Sequence, residues 1–302
     1  MPLHLSRRAF GLGAGALFLA HHVTPAAAQA ATRSVTTSLG TYDIPAEPQR
    51  VVAIDSRLDL EPAVALGLNL VGHAYGPPEA WVPVPPGLAF VGEVPDLEAV
   101  LSLDPDLIIC TDVGDPDSEW WPINRLKTVA PVLPPAYVQP WKQILRQLGE
   151  WTGTTGAADA RLAEYEALIA DIRARRAAQI AGRKIAILQP IDDREVYARS
   201  VPSFLQPQVL ADLGGTTIAE HPAPEPIPAE NFGTVYGDVD AVLYVTFEEG
   251  QAERLESNPL WARLPAIRNG RTLAPRGNTN YGGVYTAIHI AGLLDELYGM
   301  LE

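Results

Sequence analysis

The chain of 302 residues carries a formal net charge of −14, with 47% hydrophobic and 19% charged residues. This balance is typical of a folded globular protein and excludes an intrinsically disordered one. It also argues against nucleic acid as a partner, because binding to phosphates requires a basic face.

The first 30 residues have the pattern of an export signal. The pair Arg7 and Arg8 precedes a short apolar run, and residues 28–30 form a small-residue cleavage pattern. Residues 6–10 resemble the twin-arginine export motif. The apolar run is too short to span a bilayer as a helix. The single cysteine, Cys110, does not follow that run, so we expect an exported, periplasmic protein without a lipid anchor.

Short apolar strands alternate with helices along the rest of the chain. The predicted strands are Val51–Ile54, Leu70–Gly72, Phe90–Val91, Leu107–Cys110, Lys184–Leu188, Thr216–Ile218, Ala241–Val245 and Arg271–Ala274. The predicted helices include Leu60–Leu66, Leu97–Leu103, Ser203–Leu213 and Tyr285–Met300. Such alternation predicts α/β lobes, each with a parallel sheet that helices cover on both faces.

One long helix is predicted between the two series of strands. Residues 157–182 contain apolar side chains at helical spacing, no proline, and a terminal glycine, Gly182. We therefore predict four parts. These are the export signal (1–30), a first α/β lobe (31–156), a linking helix (157–182) and a second α/β lobe (183–302).

Each lobe also repeats a short unit in which a turn, a glutamate, a helix and a strand follow one another. Glu98 stands at this place in the first lobe and Glu230 in the second. On the residues alone, each glutamate could simply complement a helix dipole, an effect worth about 0.3–1 kcal/mol.

Four segments in order resemble a known family. They are PQRVVAIDSRLDLEPAVALGLNLVGHA, VPDLEAVLSLDPDLIICTD, AENFGTVYGDVDAVLYV and SNPLWARLPAIRNGRTLAP. Together they resemble the class III substrate-binding proteins of iron–siderophore and cobalamin ABC importers, over nearly the whole mature chain.

This resemblance implies a fold and a role. The fold would be two Rossmann-like lobes joined by a single rigid helix, with the ligand in the cleft between them. The ligand would be a ferric–siderophore or ferric citrate-like complex, with iron only as part of the chelate and no cofactor of the protein's own. Glu98 and Glu230 match the family's two exposed glutamates, which dock on arginine pockets of the importer's membrane subunits. The resemblance also implies that the protein acts as a monomer and is not an enzyme.

Ligands of open α/β sheets bind beyond the carboxyl ends of the strands. The loops predicted at these ends carry arginines, which suit anionic oxygens, and large aromatic rings, which supply apolar walls. The candidate ligand-binding residues are Arg57, Tyr75, Trp81, Trp120, Trp121, Tyr197, Arg199, Arg276 and Tyr281. Trp141 and Trp261 are instead expected in the core.

The sequence does not predict a metal site held by the protein itself. His73, His221 and His289 fall in different segments, and no His or Cys spacing typical of metal ligands occurs. His289 stands within an apolar helical stretch and is expected to be structural.

Other functions stay open at this point. Within the same fold, the alternative is a cobalamin or haem carrier. Outside the family, the alternative is an exported two-lobed enzyme, although no nucleophile elbow, phosphate-binding loop or zinc-binding helix motif is found. The absence of short internal repeats argues against an adhesion module.

Overall fold

The computed structural model describes residues 31–222 and 225–301. The predicted export signal lies outside these residues. The described chain opens with an antiparallel hairpin of two strands, β1 (Thr32–Thr37) and β2 (Gly40–Pro45). No helix among the described residues is both long and apolar enough to cross a membrane.

The first lobe is built on a parallel sheet of five strands. The strands are β3 (Val51–Asp55), β4 (Leu70–Ala74), β5 (Ala89–Phe90), β6 (Leu107–Ile109) and β7 (Val132–Leu133). They are ordered β5-β4-β3-β6-β7, and every neighbouring pair is parallel. The helices are α1 (Leu60–Ala65), α2 (Leu97–Ser102), α3 (Ile123–Leu126) and α4 (Trp141–Thr152). All five residues of β3 are buried, as expected for a strand covered on both faces.

Two helices in sequence connect the lobes, α5 (Thr155–Arg175) and α6 (Ala177–Ile180). The prediction of one helix over 157–182 therefore runs past the observed end of α5. The helix breaks at Arg176, where two neighbouring arginines both reach Asp295. Arg175 Nη2 and Arg176 Nε lie 3.1 and 2.8 Å from its carboxylate oxygens.

The second lobe contains a mixed sheet of five strands. They are β8 (Ile185–Pro190), β9 (Glu195–Ala198), β10 (Pro226–Pro228), β11 (Ala241–Tyr244) and β12 (Thr272–Leu273). The order is β10-β9-β8-β11-β12, and β8, β11 and β12 are parallel. The helices are α7 (Leu205–Asp212), α8 (Phe232–Tyr236), α9 (Gln251–Glu256), α10 (Pro265–Arg268) and α11 (Val284–Gly299), with 3₁₀ turns at Ala229–Asn231 and Trp261–Arg263.

The two-lobed α/β fold is confirmed, but a wholly parallel second sheet is wrong. β9 pairs antiparallel with β8, and β10 pairs antiparallel with β9. The side chain of Asp192 closes the turn before β9 by accepting hydrogen bonds from the backbone of Arg194 (2.7 Å) and Glu195 (2.9 Å). The predicted strand at Thr216–Ile218 is reduced to a single bridge between Lys184 and Thr216.

A continuous cluster of buried side chains joins the two lobes. It includes Val51 of the first sheet, Leu243 of the second sheet, and Tyr165 of α5. Trp141 and Trp261 are buried, as predicted for core residues. Cys110, directly after β6, is buried as well, and burial raises the pKa of its thiol.

Candidate functional site

Four predicted ligand-binding residues gather at the carboxyl ends of the first sheet. The guanidinium of Arg57 lies 5.1 Å from the centre of the Tyr75 ring, within range of a cation–π contact. The Tyr75 ring in turn contacts Trp120 at 5.2 Å and Trp121 at 5.1 Å between ring centres. These four residues, which we call the first-lobe cluster, form an apolar wall with one cation.

The backbone holds Tyr75 in an uncommon conformation. Its φ of 52° lies in the left-handed region, which costs roughly 1–2 kcal/mol for a residue with a Cβ atom. The hydroxyl of Ser56 donates to the Tyr75 carbonyl at 2.9 Å, and the Tyr75 N–H donates to the Gly92 carbonyl at 3.1 Å. Strain of this kind is found at binding sites, where the surrounding structure fixes a side chain in place.

The second lobe supplies another arginine among aromatic rings. Arg199 follows β9, and its guanidinium lies 4.4 Å from the centre of the Phe204 ring and 5.9 Å from that of Tyr197. It also donates to the side chain of Gln189. Burial lowers the pKa of Arg199, although Tyr281 and Tyr197 act in the opposite direction.

Tyr281 brings the two lobes together. Burial raises the pKa of its hydroxyl, while Arg199 and Arg57 lie close enough to lower it. Arginines of both lobes therefore influence one phenol, which lines a small cavity together with Leu58 of the first lobe and Ser203 of the second. Tyr137 also acts on Tyr281 and is 42% exposed. Sequence reasoning missed Tyr137, although it follows β7 and the rule for strand ends would have found it.

Several buried donors of this region have no hydrogen-bond partner among the described residues. They are Nε of Arg57, Nε of Arg199 and Nε1 of Trp121. Buried donors are normally paired, so the unpaired Nε of Arg199 marks a group able to bind a ligand's oxygens, whereas Nε of Arg57 lies 3.7 Å from Oδ1 of Asp55.

The two remaining predicted ligand-binding residues, Trp81 and Arg276, make other contacts. The Trp81 ring stacks on His289 with 4.0 Å between ring centres, and its indole nitrogen donates to the Thr286 hydroxyl at 2.9 Å. Arg276 is exposed and lines a cavity of about 510 Å³ after the carboxyl ends of β11 and β12, together with Glu79 of the first lobe and residues 246–253. Trp81 thus holds a loop of the first lobe against α11. Its stacking partner His289 belongs to α11, and this contact fits the structural role expected for His289.

Among the described residues, no group of three or more His, Cys, Asp or Glu side chains is placed to hold a metal ion. His73 lies beside Phe90, with ring centres 5.4 Å apart, and burial lowers its pKa. The backbone N–H of His221 donates to the Ser200 hydroxyl at 3.1 Å.

Residues 92–274 match the family described as periplasmic binding protein. The chain belongs to this family. The match covers more than half of the sequence and includes β6–β12, so the family resemblance drawn from the four sequence segments is confirmed.

Two relatives of this periplasmic binding protein are known from Escherichia coli. It is 28% identical to the ferric enterobactin-binding periplasmic protein FepB, over 90% of this chain and 93% of the relative. It is 25% identical to the iron(3+)-hydroxamate-binding protein FhuD, over 84% of this chain and 88% of the relative.

Solved structures share the fold. A periplasmic solute binding protein from Mycobacterium smegmatis has a TM-score of 0.75 at 19% identity, covering 90% of this chain and 99% of that one. FhuD from Vibrio cholerae, solved with Fe³⁺-Desferal, has a TM-score of 0.70 at 21% identity, covering 83% and 98%.

Both predicted docking residues of this periplasmic binding protein are exposed. Glu98 is the second residue of α2, and Glu230 lies in the 3₁₀ turn before α8. Asp96 already caps α2, because its carboxylate accepts from the backbone of Glu98 (2.8 Å) and Ala99 (3.2 Å). Neither glutamate side chain pairs with another described residue, so both carboxylates are free to meet a partner.

Proposed function

We propose that the protein captures a ferric–siderophore complex in the cleft between its lobes and delivers it to an ABC importer. The observation that carries this proposal is that each lobe places an arginine among aromatic rings, Arg57 beside Tyr75 and Arg199 beside Phe204. The names of the two Escherichia coli relatives, which both bind ferric chelates, support the same ligand class.

The side chains of the cleft suit a bulky chelate with oxygen ligands. The guanidinium groups of Arg57 and Arg199 can donate forked hydrogen bonds to catecholate, hydroxamate or carboxylate oxygens. Tyr75, Trp120 and Trp121 can pack against the chelate's apolar faces. Iron would enter already wrapped in its chelator, so the protein's own oxygen and nitrogen atoms need not complete its coordination.

The route and the partner follow from the same proposal. The chain would be exported through its twin-arginine-type signal and act in the periplasm, without a lipid anchor. Glu98 and Glu230, one on each lobe, would dock on the two membrane subunits of the importer. One copy with one cleft completes this cycle, which consists of binding and release and involves no catalysis.

Titration of the mature protein with a panel of ferric chelates tests the proposal. Trp120 and Trp121 belong to the proposed binding site, so a bound coloured chelate should quench tryptophan fluorescence. The panel contains ferric enterobactin, Fe³⁺-Desferal, ferric citrate, haem and cobalamin. We expect saturable quenching by at least one iron chelate and none by cobalamin.

Two variants make this titration specific to the cleft. Changing Trp120 and Trp121 together to phenylalanine should remove most of the quenching, whereas Trp261→Phe in the core should retain it. Saturable binding of haem or cobalamin alone would favour the other carriers of this fold. Absence of binding to every compound would overturn the proposal.

A further inference from the structure

A buried carboxylate lies directly beneath Arg57. Asp55 ends β3 and is fully buried. Its Oδ1 accepts hydrogen bonds from the backbone nitrogens of Arg57 (2.8 Å) and Leu58 (2.9 Å). The same oxygen lies 3.7 Å from Nε of Arg57, so the two side chains form an ion pair. The turn that presents Arg57 is therefore folded around an acid.

A second buried acid supports the first. The carboxylate of Asp59 accepts from the backbone of Asp55 at 2.9 Å, and from the backbone and hydroxyl of Thr111 at 3.2 and 2.6 Å. Asp59 thereby ties the end of β3 to the segment after β6. Burial, and then the neighbouring Asp55, raise the pKa of Asp59 to about 7.

The hydrogen bonds alone do not require a charge at residue 55. The side-chain oxygen of an asparagine would accept the same two backbone hydrogen bonds and close the same turn. A buried carboxylate instead costs stability, since its desolvation opposes folding. Burial indeed raises the pKa of Asp55, and Arg57 is the strongest influence that lowers it. The charge of Asp55 is thus directed at Arg57.

Asp55 also faces a second side chain of the first-lobe cluster. Trp121 is among the groups that lower the pKa of Asp55, although its indole nitrogen forms no hydrogen bond of normal geometry with a described residue. Asp55 consequently touches a cation and an aromatic ring that both belong to the candidate site. Its Oδ2 atom has no hydrogen-bond partner among the described residues.

We propose that Asp55 is a specificity-determining residue that offsets part of the positive charge of Arg57. Its carboxylate sets how strongly the cleft favours an anionic chelate over an uncharged one. Asp59, whose pKa is raised to about 7, adds part of a negative charge beside Asp55. This inference rests on the proposed function, because it concerns the choice among ferric chelates.

The test compares two ferric chelates of different charge in wild type and Asp55→Asn. The probes are ferric enterobactin, a triply anionic tris-catecholate, and ferrichrome, an uncharged tris-hydroxamate, both followed by tryptophan fluorescence. The variant keeps the oxygen acceptor of the turn and removes the charge. We expect the preference for the anionic chelate to rise by about tenfold, which corresponds to about 1.4 kcal/mol, the order of magnitude of one removed repulsion in a partly polar site. If wild type binds only ferrichrome, the variant should gain measurable binding of ferric enterobactin.

Two further variants separate a charge effect from a structural one. Asp55→Ala removes the charge and also the acceptor of the turn, so it should raise the preference for the anionic chelate and in addition weaken the binding of both chelates. Arg57→Gln should lower the preference for the anionic chelate, the opposite of Asp55→Asn, as expected if the two charges offset each other. Asp59→Asn should also raise the preference for the anionic chelate, by a smaller factor. It replaces Asp55→Asn as the test variant if Asp55→Asn does not fold.

The possible outcomes distinguish this inference from the proposed function. An unchanged preference in a folded Asp55→Asn protein that still binds chelates overturns the role of Asp55 and leaves chelate binding intact. Failure of wild type to bind any ferric chelate overturns both.

Discussion

The carboxylate of Glu61 joins the two lobes by accepting two hydrogen bonds from Thr286. The backbone nitrogen of Thr286 lies 2.8 Å from Oε1, and its hydroxyl lies 2.7 Å from Oε2. Glu61 belongs to α1 of the first lobe and Thr286 to the first turn of α11. The indole of Trp81 donates to the same hydroxyl, so a loop, α1 and α11 meet at one oxygen.

This contact predicts a pH-dependent stability. Burial raises the pKa of Glu61 to about 7, whereas a glutamate in the unfolded chain titrates near 4.3. Between these pH values the folded state binds more protons than the unfolded state, so the free energy of unfolding falls as the pH rises. We expect Glu61→Gln to flatten this decline in urea unfolding between about pH 5 and pH 8. Glu119→Gln, at an exposed site, is the control, and equal slopes in all three proteins would contradict the prediction.

Arg57→Ala should weaken binding of an anionic ferric chelate by about 1.5–3 kcal/mol, the scale of a hydrogen bond to a charged group. Arg276→Ala should cost less, because Arg276 is exposed and solvent screens its charge. Arg194→Ala, in the exposed turn before β9, serves as the control. Fluorescence titration measures the affinities, and thermal unfolding checks that the variants are folded. Wild-type affinity in Arg57→Ala for every bound chelate would remove Arg57 from the site.

Ligand binding should change the radius of gyration little. The lobes share a continuous buried cluster, and α5 contacts both of them. Lys142 of α4 also pairs with Asp212 of α7 at 2.8 Å, and Asp212 accepts from Tyr165 of α5 at 2.6 Å. Such packing opposes a wide hinge motion. Small-angle scattering with and without ferric chelate measures the change, and a contraction of several ångströms would show that the connection is flexible.

Reversing the charge of the two exposed glutamates should abolish transport without affecting capture. In Glu98→Arg, Glu230→Arg we expect wild-type chelate affinity and loss of ATPase stimulation in vesicles that contain the importer, because like charges would then meet at the docking face. Each single variant should lose less than the double variant. Asp159→Arg, at an exposed acid of α5, controls for a general change in charge. Full stimulation by the double variant would leave both glutamates as ordinary helix-terminal charges.

The sequence predicts the lobes well because their strands are buried. The apolar runs of β3, β6, β8 and β11 are typical of strands that helices cover on both faces. The loops that follow β3 and β6 contain Arg57 and Trp121, which is why the sequence predicts these two residues as part of the site. The antiparallel β9 was harder to predict, because the arginines and acids of its turn resemble a loop. The signal for a strand in the sequence is the alternation of apolar Val196 and Ala198 with Glu195 and Tyr197, and in the structure Val196 and Ala198 are the buried residues of β9.

The features that the sequence does not predict depend on contacts between distant segments of the chain. Trp81 and Trp121 are both aromatic residues in loops after predicted strands, so the sequence predicts both as ligand-binding. The ring of Trp81, however, stacks on His289, more than 200 residues along the chain. No local pattern reveals such a partner. The break at Arg176 likewise depends on Asp295 of another helix. The roles of Asp55 and Glu61 depend on complete burial, which the sequence alone does not indicate for acids.

The buried position of Cys110 makes the protein suitable for site-specific labelling. Cys110 is the only cysteine of the chain, its side chain is fully enclosed, and the raised pKa of its thiol disfavours the reactive thiolate. A maleimide dye should therefore attach to a newly introduced surface cysteine with little background. One such cysteine on each lobe would permit distance measurements by fluorescence energy transfer in the otherwise unaltered protein.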